Sequence, residues 1–193
     1  MRIFGIDPGS ERSGYGCVES DGRRLVLVTS GIVRAHRDDA FADRLARIHL
    51  QLSEALARVR PEAVAIESIF HAANARSALR LGHARGVAVL AAVQAGCPVV
   101  EYAPAEVKRS VVGYGRAEKP QVQQMVKLLL GLDAVPSPHD VADALAVAIC
   151  HLHTASVLPK AVNPSSFAAP LVAAVKTDGR VPKTWRQYRP PAG

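Results

Sequence analysis

A chain of 193 residues holds one domain with a proper core and is too short for two large lobes. An apolar fraction of 49% argues against disorder of the whole chain, and its many alanines favour closely packed helices in an α/β or helix-rich core. The net charge of +7 points to a polyanionic partner such as nucleic acid, but the excess is local. Between Ala155 and Gly193, Lys160, Lys176, Arg180, Lys183, Arg186 and Arg189 face one acid, Asp178, so that stretch carries +5 and the rest is nearly balanced. Charge alone therefore does not mark the core as a DNA-binding protein. Cys17, Cys97 and Cys150 are an odd, sparse set with no CxxC pair, which suggests a reducing compartment and neither a disulfide frame nor a zinc knuckle. No signal peptide is visible, and the apolar run from Gly86 to Ala95 is too short to span a bilayer. The expectation is a cytoplasmic protein with no membrane partner.

In chain order, Arg2 to Ile6 reads as a short strand ending at Asp7, and Pro8-Gly9-Ser10 turns the chain. Gly14 to Glu19 reads as a second strand, Asp21-Gly22 as a hairpin turn, and Arg24 to Val33 as a third strand. Phe41, Leu45, Ile48, Leu52, Leu56 and Val59 recur at three- and four-residue steps, which predicts an amphipathic helix capped by Asp38 or Asp39 and stopped by Pro61. Ala63 to Ile66 is a short buried strand that delivers Glu67. A second helix is expected from about Asn74 to Gln94, ended by Gly96. A strand over Val99–Tyr102 and helices near Pro104–Val112 and Pro120–Leu130 follow, each helix opened by a proline. The last helix runs from about His139 to His153. Beyond it lie six of the thirteen prolines, so residues 1–154 are expected as the domain and 155–193 as a basic, Pro-rich, disordered tail. Three strands, then helices alternating with strands, predict a mixed α/β sheet, its first three strands antiparallel, with helices on both faces.

The chemistry lies in carboxylates set in apolar places. Asp7 and Glu67 each follow a buried strand, at an edge where strand ends converge. Asp140 and Asp143 are three apart, hence on one face of the last helix, among Val141, Ala142, Ala144 and Leu145. Each acid has a plain alternative: Asp7 as a turn former, Glu67 as a strand end in solvent, Asp140 as a helix cap. Asp143, one turn inside an apolar helix, is hardest to explain that way. Four carboxylates together need cations, and hard oxygen donors select magnesium or manganese over zinc. Two such ions about 3.5–4 Å apart are the standard device for in-line displacement at phosphorus.

Four ordered blocks carry a resemblance. Ile6-Asp7-Pro8-Gly9-Ser10 with Gly14-Tyr15-Gly16 is similar to the opening motif of the RuvC resolvases. Ile66-Glu67-Ser68-Ile69-Phe70, with Asn74, Ser77 and Leu81-Gly82-His83-Ala84-Arg85-Gly86, resembles their second block. Pro104, Lys108, Val112-Gly113, Ala117-Glu118-Lys119 and Gln121-Val122 resemble the third, and Asp140-Val141-Ala142-Asp143-Ala144-Leu145-Ala146 with His151 the last. The match spans about residues 2–153 and excludes the tail. It implies a ribonuclease-H-like fold and a homodimer that nicks Holliday junctions symmetrically with magnesium or manganese, in recombination and repair, alongside the RuvA–RuvB branch-migration machine. By position, Asp7, Glu67, Asp140 and Asp143 match the family's catalytic, metal-holding acids. Some members carry histidine in place of the third acid. Here His139 precedes Asp140 and either could approach the metal, with Asp140 preferred.

The resemblance also implies that Phe70 meets bases near the crossover and that Lys108 and Lys119 serve phosphates or charge near the cut bond. Core packing for Phe70 and plain surface positions for the lysines are the alternatives. Arg76, Arg80 and Arg85 are expected to extend a basic DNA-binding surface, with Arg76 and Arg80 on one helix face by their four-residue spacing. The apolar end of that helix (Val87, Val89, Leu90, Val93) reads as core, or as part core and part dimer interface. Rival readings are a non-catalytic or RNA-processing relative of the same fold, a nuclease for RNA–DNA hybrids, and an actin-like or sugar-kinase ATP-binding protein. The last needs a second lobe and a second phosphate loop that this chain lacks. Cys150, His151 and His153 lack the spacing and the fourth partner of a zinc site.

Overall fold

The structure is a computed structural model, and it describes residues 1–35, 38–68 and 74–155. Phe70 and nearly all of the expected tail lie outside the described residues. The elements run β1 (Arg2–Asp7), β2 (Arg12–Ser20), β3 (Leu25–Arg34), α1 (Phe41–Val59), β4 (Ala63–Glu67), α2 (Ala75–Gln94), β5 (Val99–Tyr102), α3 (Pro104–Val112), α4 (Lys119–Leu129) and α5 (His139–Ala155). The sheet order is β3-β2-β1-β4-β5. β1, β2 and β3 pair antiparallel, while β4 runs parallel to both β1 and β5. This is the expected mixed sheet.

Local chemistry explains the punctuation. At the first hairpin Asp21 Oδ1 accepts hydrogen bonds from the N–H groups of Arg23 and Arg24, both at 2.8 Å, and Gly22 takes φ 91°. Gly96, at φ 74°, follows the end of α2. α1 corrects one expectation. Its N-cap is Ala40, with no side-chain cap bond, because the Asp39 carboxylate turns to Arg47 as an ion pair at 3.2 Å. β2 and β3 also extend further than expected, since Arg12 and Arg34 still pair across the ladder.

Alternation along the strands sorts the core into two layers. Phe4, Ile6, Val64 and Ile66 pack with α1 and α2 through Ile48, Leu52, Leu56, Ala84 and Ala88. Ile3, Ala63 and Ala65 pack on the other face with Val107, Val122, Val126, Leu145 and Ile149 of α3, α4 and α5. The same alternation places Asp7 and Glu67 on the α5 face. Each fully buried Ile or Leu stabilises this sandwich by roughly 1.5–3 kcal/mol.

α5 lies directly on the sheet because glycines let it. A Cβ on Gly5 would run into the carbonyl oxygen of Ala144, and one on Gly14 into that of Asp140. The small residues of β1 and β2 thus set the height of α5 above the sheet. That height brings the first turn of α5 over the end of β1.

Candidate active site

Asp7 closes β1, Glu67 closes the neighbouring parallel β4, and Asp140 and Asp143 occupy the first two turns of α5. All four sequence-predicted acids therefore meet at one edge of the sheet, and their charges are coupled. Burial, then Asp143, Glu67 and Asp140 in falling order, push the Asp7 carboxyl up to about 8. Burial and Asp143 also raise Glu67, against the pull of Lys119 and Lys108.

The basic residues answer this charge. Lys119, the first residue of α4, places Nζ 2.6 Å from Asp143 Oδ2. Burial would lower its pKa, but the hydrogen bond and charge of Asp143, with Asp7 and Asp140 behind, raise it. Lys108 of α3 joins Glu67, Pro104, Lys119, Val122 and Asp143 around a cleft of about 210 Å³. Arg12, at the start of β2, stands 3.7 Å from Asp140 Oδ2.

Two groups here escaped sequence reasoning. Arg12 could have been found from the antiparallel register, which pairs Asp7 with Gly14 and so puts Arg12 beside the same edge. Gln123 carried no such signal. It is buried in α4, and its Nε2 donates to His139 Nδ1 at 2.7 Å. That bond uses the Nδ1 lone pair of His139, whereas Asp140 acts on Asp7 through space.

The remaining candidates among the described residues sit on the other face. Asn74 Oδ1 caps α2 by accepting from Ser77 N–H at 2.9 Å. Arg76 and Arg80 follow, exposed and one turn apart. The Arg80 guanidinium lies 5.8 Å from the centre of the Phe41 ring. Arg85 is instead paired with Glu101.

A divalent ion suits this donor set in kind: hard carboxylate oxygens, with Asp7 driven towards protonation by burial and then by its neighbours' negative charge. Among the described residues, however, no three His, Cys, Asp or Glu side chains already form a closed cage for one ion. The acids are coupled through space, and the Lys119 ammonium rests on one of them.

A ribonuclease-H-like sheet with coupled carboxylates at the ends of adjacent parallel strands defines a class, the nucleases built on that fold. The family model described as crossover junction endodeoxyribonuclease RuvC matches residues 3–151. A relative of that description from Koribacter versatilis is 54% identical over 161 residues, covering 83% of this chain and 97% of its own. Another, from Trichlorobacter lovleyi, is 47% identical over 98% of this chain and all of its own. A solved structure of Thermus thermophilus RuvC in complex with Holliday junction substrate aligns with TM-score 0.78 and 39% identity, over 81% of this chain and 96% of that one. The chain belongs to the RuvC family of crossover junction endodeoxyribonucleases. Dependence on a divalent metal goes with that family. Among the described residues no helix is long and apolar enough to cross a membrane.

Proposed function

We propose that this chain, as an isologous pair of copies, nicks two strands of like polarity in a four-way DNA junction. The observation that carries the proposal is the meeting of carboxylates from β1, β4 and α5 beside Lys108 and Lys119. Asp7, Glu67, Asp140 and Asp143 would hold magnesium or manganese. When bound, such ions supply a nucleophilic water and positive charge at the leaving 3′ oxygen. The protein's own groups orient the rest. Lys119 holds positive charge against Asp143 and lies within the cleft that a phosphate would enter. Lys108, across from it, offers a second ammonium to the same phosphate. Arg12 steadies Asp140, and Gln123 keeps Nδ1 of His139 engaged, so Asp140 is the residue assigned to the metal.

Phe70 is assigned to base stacking at the crossover, on the family resemblance. Arg76 and Arg80 take backbone phosphates. The open side of α2 is assigned to the second copy. Leu79, Leu90 and Val93 are 65%, 49% and 59% exposed there, beside a groove lined by Leu45, Gly82, Gly86 and Val87. A junction of near two-fold symmetry suits an isologous dimer. The RuvA–RuvB complex is the proposed partner in the cell's cytoplasm. Residues 1–154 are the proposed nuclease domain. The basic segment after it adds salt-sensitive, non-specific affinity, which truncation at residue 154 would remove.

Cleavage of a synthetic mobile four-way junction, beside linear duplex and RNA–DNA hybrid, tests the assignment. Paired symmetric nicks in the junction alone, with magnesium or manganese and not with EDTA, are expected. Binding without cleavage under either metal, or cutting of the hybrid instead, overturns it.

A further inference from the structure

The acids and lysines leave one charged cluster unused, on the opposite face of the sheet. Phe41 opens α1 and carries two guanidinium groups on one ring: Arg44 at 5.5 Å and Arg80 at 5.8 Å from its centroid. His83 meets the same ring edge-on at 5.6 Å. Arg44 is only 5% exposed, and its Nε has no hydrogen-bond partner among the described residues. Other arginines are neutralised at once: Arg2 by Glu19, Arg47 by Asp39, Arg85 by Glu101. Among the described residues no acid lies within ion-pair distance of Arg44 or Arg80. Two like charges on one ring are unfavourable by themselves, and an added anion relieves them.

Topology puts this cluster where an anion is expected. β3 ends at Arg34, paired with Arg12 at the edge where Asp7 and Glu67 lie. α1 starts a few residues later, and α2 starts a few residues after Glu67. α1 ends beside Arg2, whose Nη1 donates to the Val59 carbonyl, and α2 ends just before β5 begins, so both helices start towards the other end of the strands, where Asp7 and Glu67 lie, their N-termini biased toward negative ligands. A guanidinium stacked on an aromatic face is held in place while its in-plane N–H donors stay free.

We infer that Phe41 is a positioning residue, its ring fixing the Arg80 guanidinium to receive a DNA backbone phosphate. This deepens the proposed junction binding and rests on it. Phe41 itself touches no DNA; it limits the conformations Arg80 must give up on binding.

The test is a double-mutant cycle on junction affinity in calcium, read with its salt dependence. Arg80→Ala should weaken binding about three- to tenfold and lower the salt slope by about one. Phe41→Leu, which keeps apolar bulk, should lose about two- to fivefold, the scale of a cation–π contact. In the Arg80→Ala background it should lose nothing more. Phe41→Tyr should bind as the unchanged protein does, which a purely volumetric role would not require. If Arg80→Ala is silent, Arg80 meets no phosphate, and the assignment of Arg80 fails together with the inference. Should Arg80→Ala weaken binding while Phe41→Leu is neutral or additive with it, junction binding stands and the positioning role is overturned. If Phe41→Leu proves unfolded by circular dichroism, Phe41→Tyr and Phe41→Met in the same cycle decide between the outcomes.

Discussion

α5 and α2 are helices of similar length on opposite faces of one sheet, and they are used in opposite ways. α5 buries eleven of its seventeen residues, clasped between the sheet, α3 and α4. α2 buries only Ala84, Ala88, Ala91 and Ala92 of its twenty, all toward α1 and the sheet. The buried helix carries acids, Asp140 and Asp143. The open helix carries Arg76 and Arg80, without acid partners among the described residues, and exposed apolar side chains. Rigid packing suits groups whose mutual spacing must be exact enough for chemistry. An open face suits groups that meet something outside the chain. Closely set like charges in α5 also need the enclosing structure to hold them against their repulsion.

The sharpest break in the comparison removes charge from the buried side. Asp143→Asn should cut junction cleavage by roughly a thousandfold, the scale of losing one preorganised charge contact. Junction binding, measured in calcium by gel shift, should stay within about twofold, because the phosphate contacts proposed for α2 are untouched.

The second effect is on stability without metal. The carboxyl of Asp7 sits near 3.8 in an unfolded chain and at about 8 when folded. Between those values the folded state holds a proton that the unfolded state has released, so stability falls as pH rises. That stabilisation is present in full below 3.8 and is lost at up to about 1.4 kcal/mol per pH unit as pH rises, the loss ending above about 8. Asp7→Asn should therefore melt higher than the unchanged protein in EDTA at pH 8.5, by roughly 5–15 °C, and the gap should close toward pH 4. Equal melting temperatures at pH 8.5 would show that burial and the neighbouring acids do not raise the Asp7 carboxyl. The third effect is steric. Gly14→Ala drives a Cβ into the Asp140 carbonyl and should destabilise by about 1–3 kcal/mol or more. Gly86→Ala on α2, where a Cβ meets nothing among the described residues, should fold with an unchanged circular dichroism spectrum.

Much of this contrast could be read from the sequence. The three- and four-residue steps from Phe41 to Val59 gave the bounds of α1, and apolar runs ending in Asp7 and Glu67 marked β1 and β4. The carboxylates were legible because each interrupts an apolar segment. The contacts around them were not, because each crosses between elements. Lys119 reaches Asp143 from another helix, and Gln123 reaches His139 from α4 to α5. No local periodicity encodes such pairs. Gly5 and Gly14 were visible as letters, but their purpose appears only once α5 lies across them. The pairing of Phe41 with Arg80 likewise depends on how α1 packs on α2.

The smallest expected effect concerns the open helix alone. Leu90 is half exposed on α2, lining a groove that the described residues leave open. If a second copy covers this face, Leu90→Glu buries a charge against apolar side chains in the pair and meets only water in the single chain. Sedimentation equilibrium should then show a dimer dissociation constant raised by about tenfold or more, with the fold intact by circular dichroism. Each separated copy would still hold its own acids, so single nicks should persist while paired nicks on one junction decline. Unchanged association by Leu90→Glu would leave α2 as a plain solvent-facing helix and move the dimer contact elsewhere. The contrast between a helix closed for chemistry and one open for assembly would then survive only in its arginines.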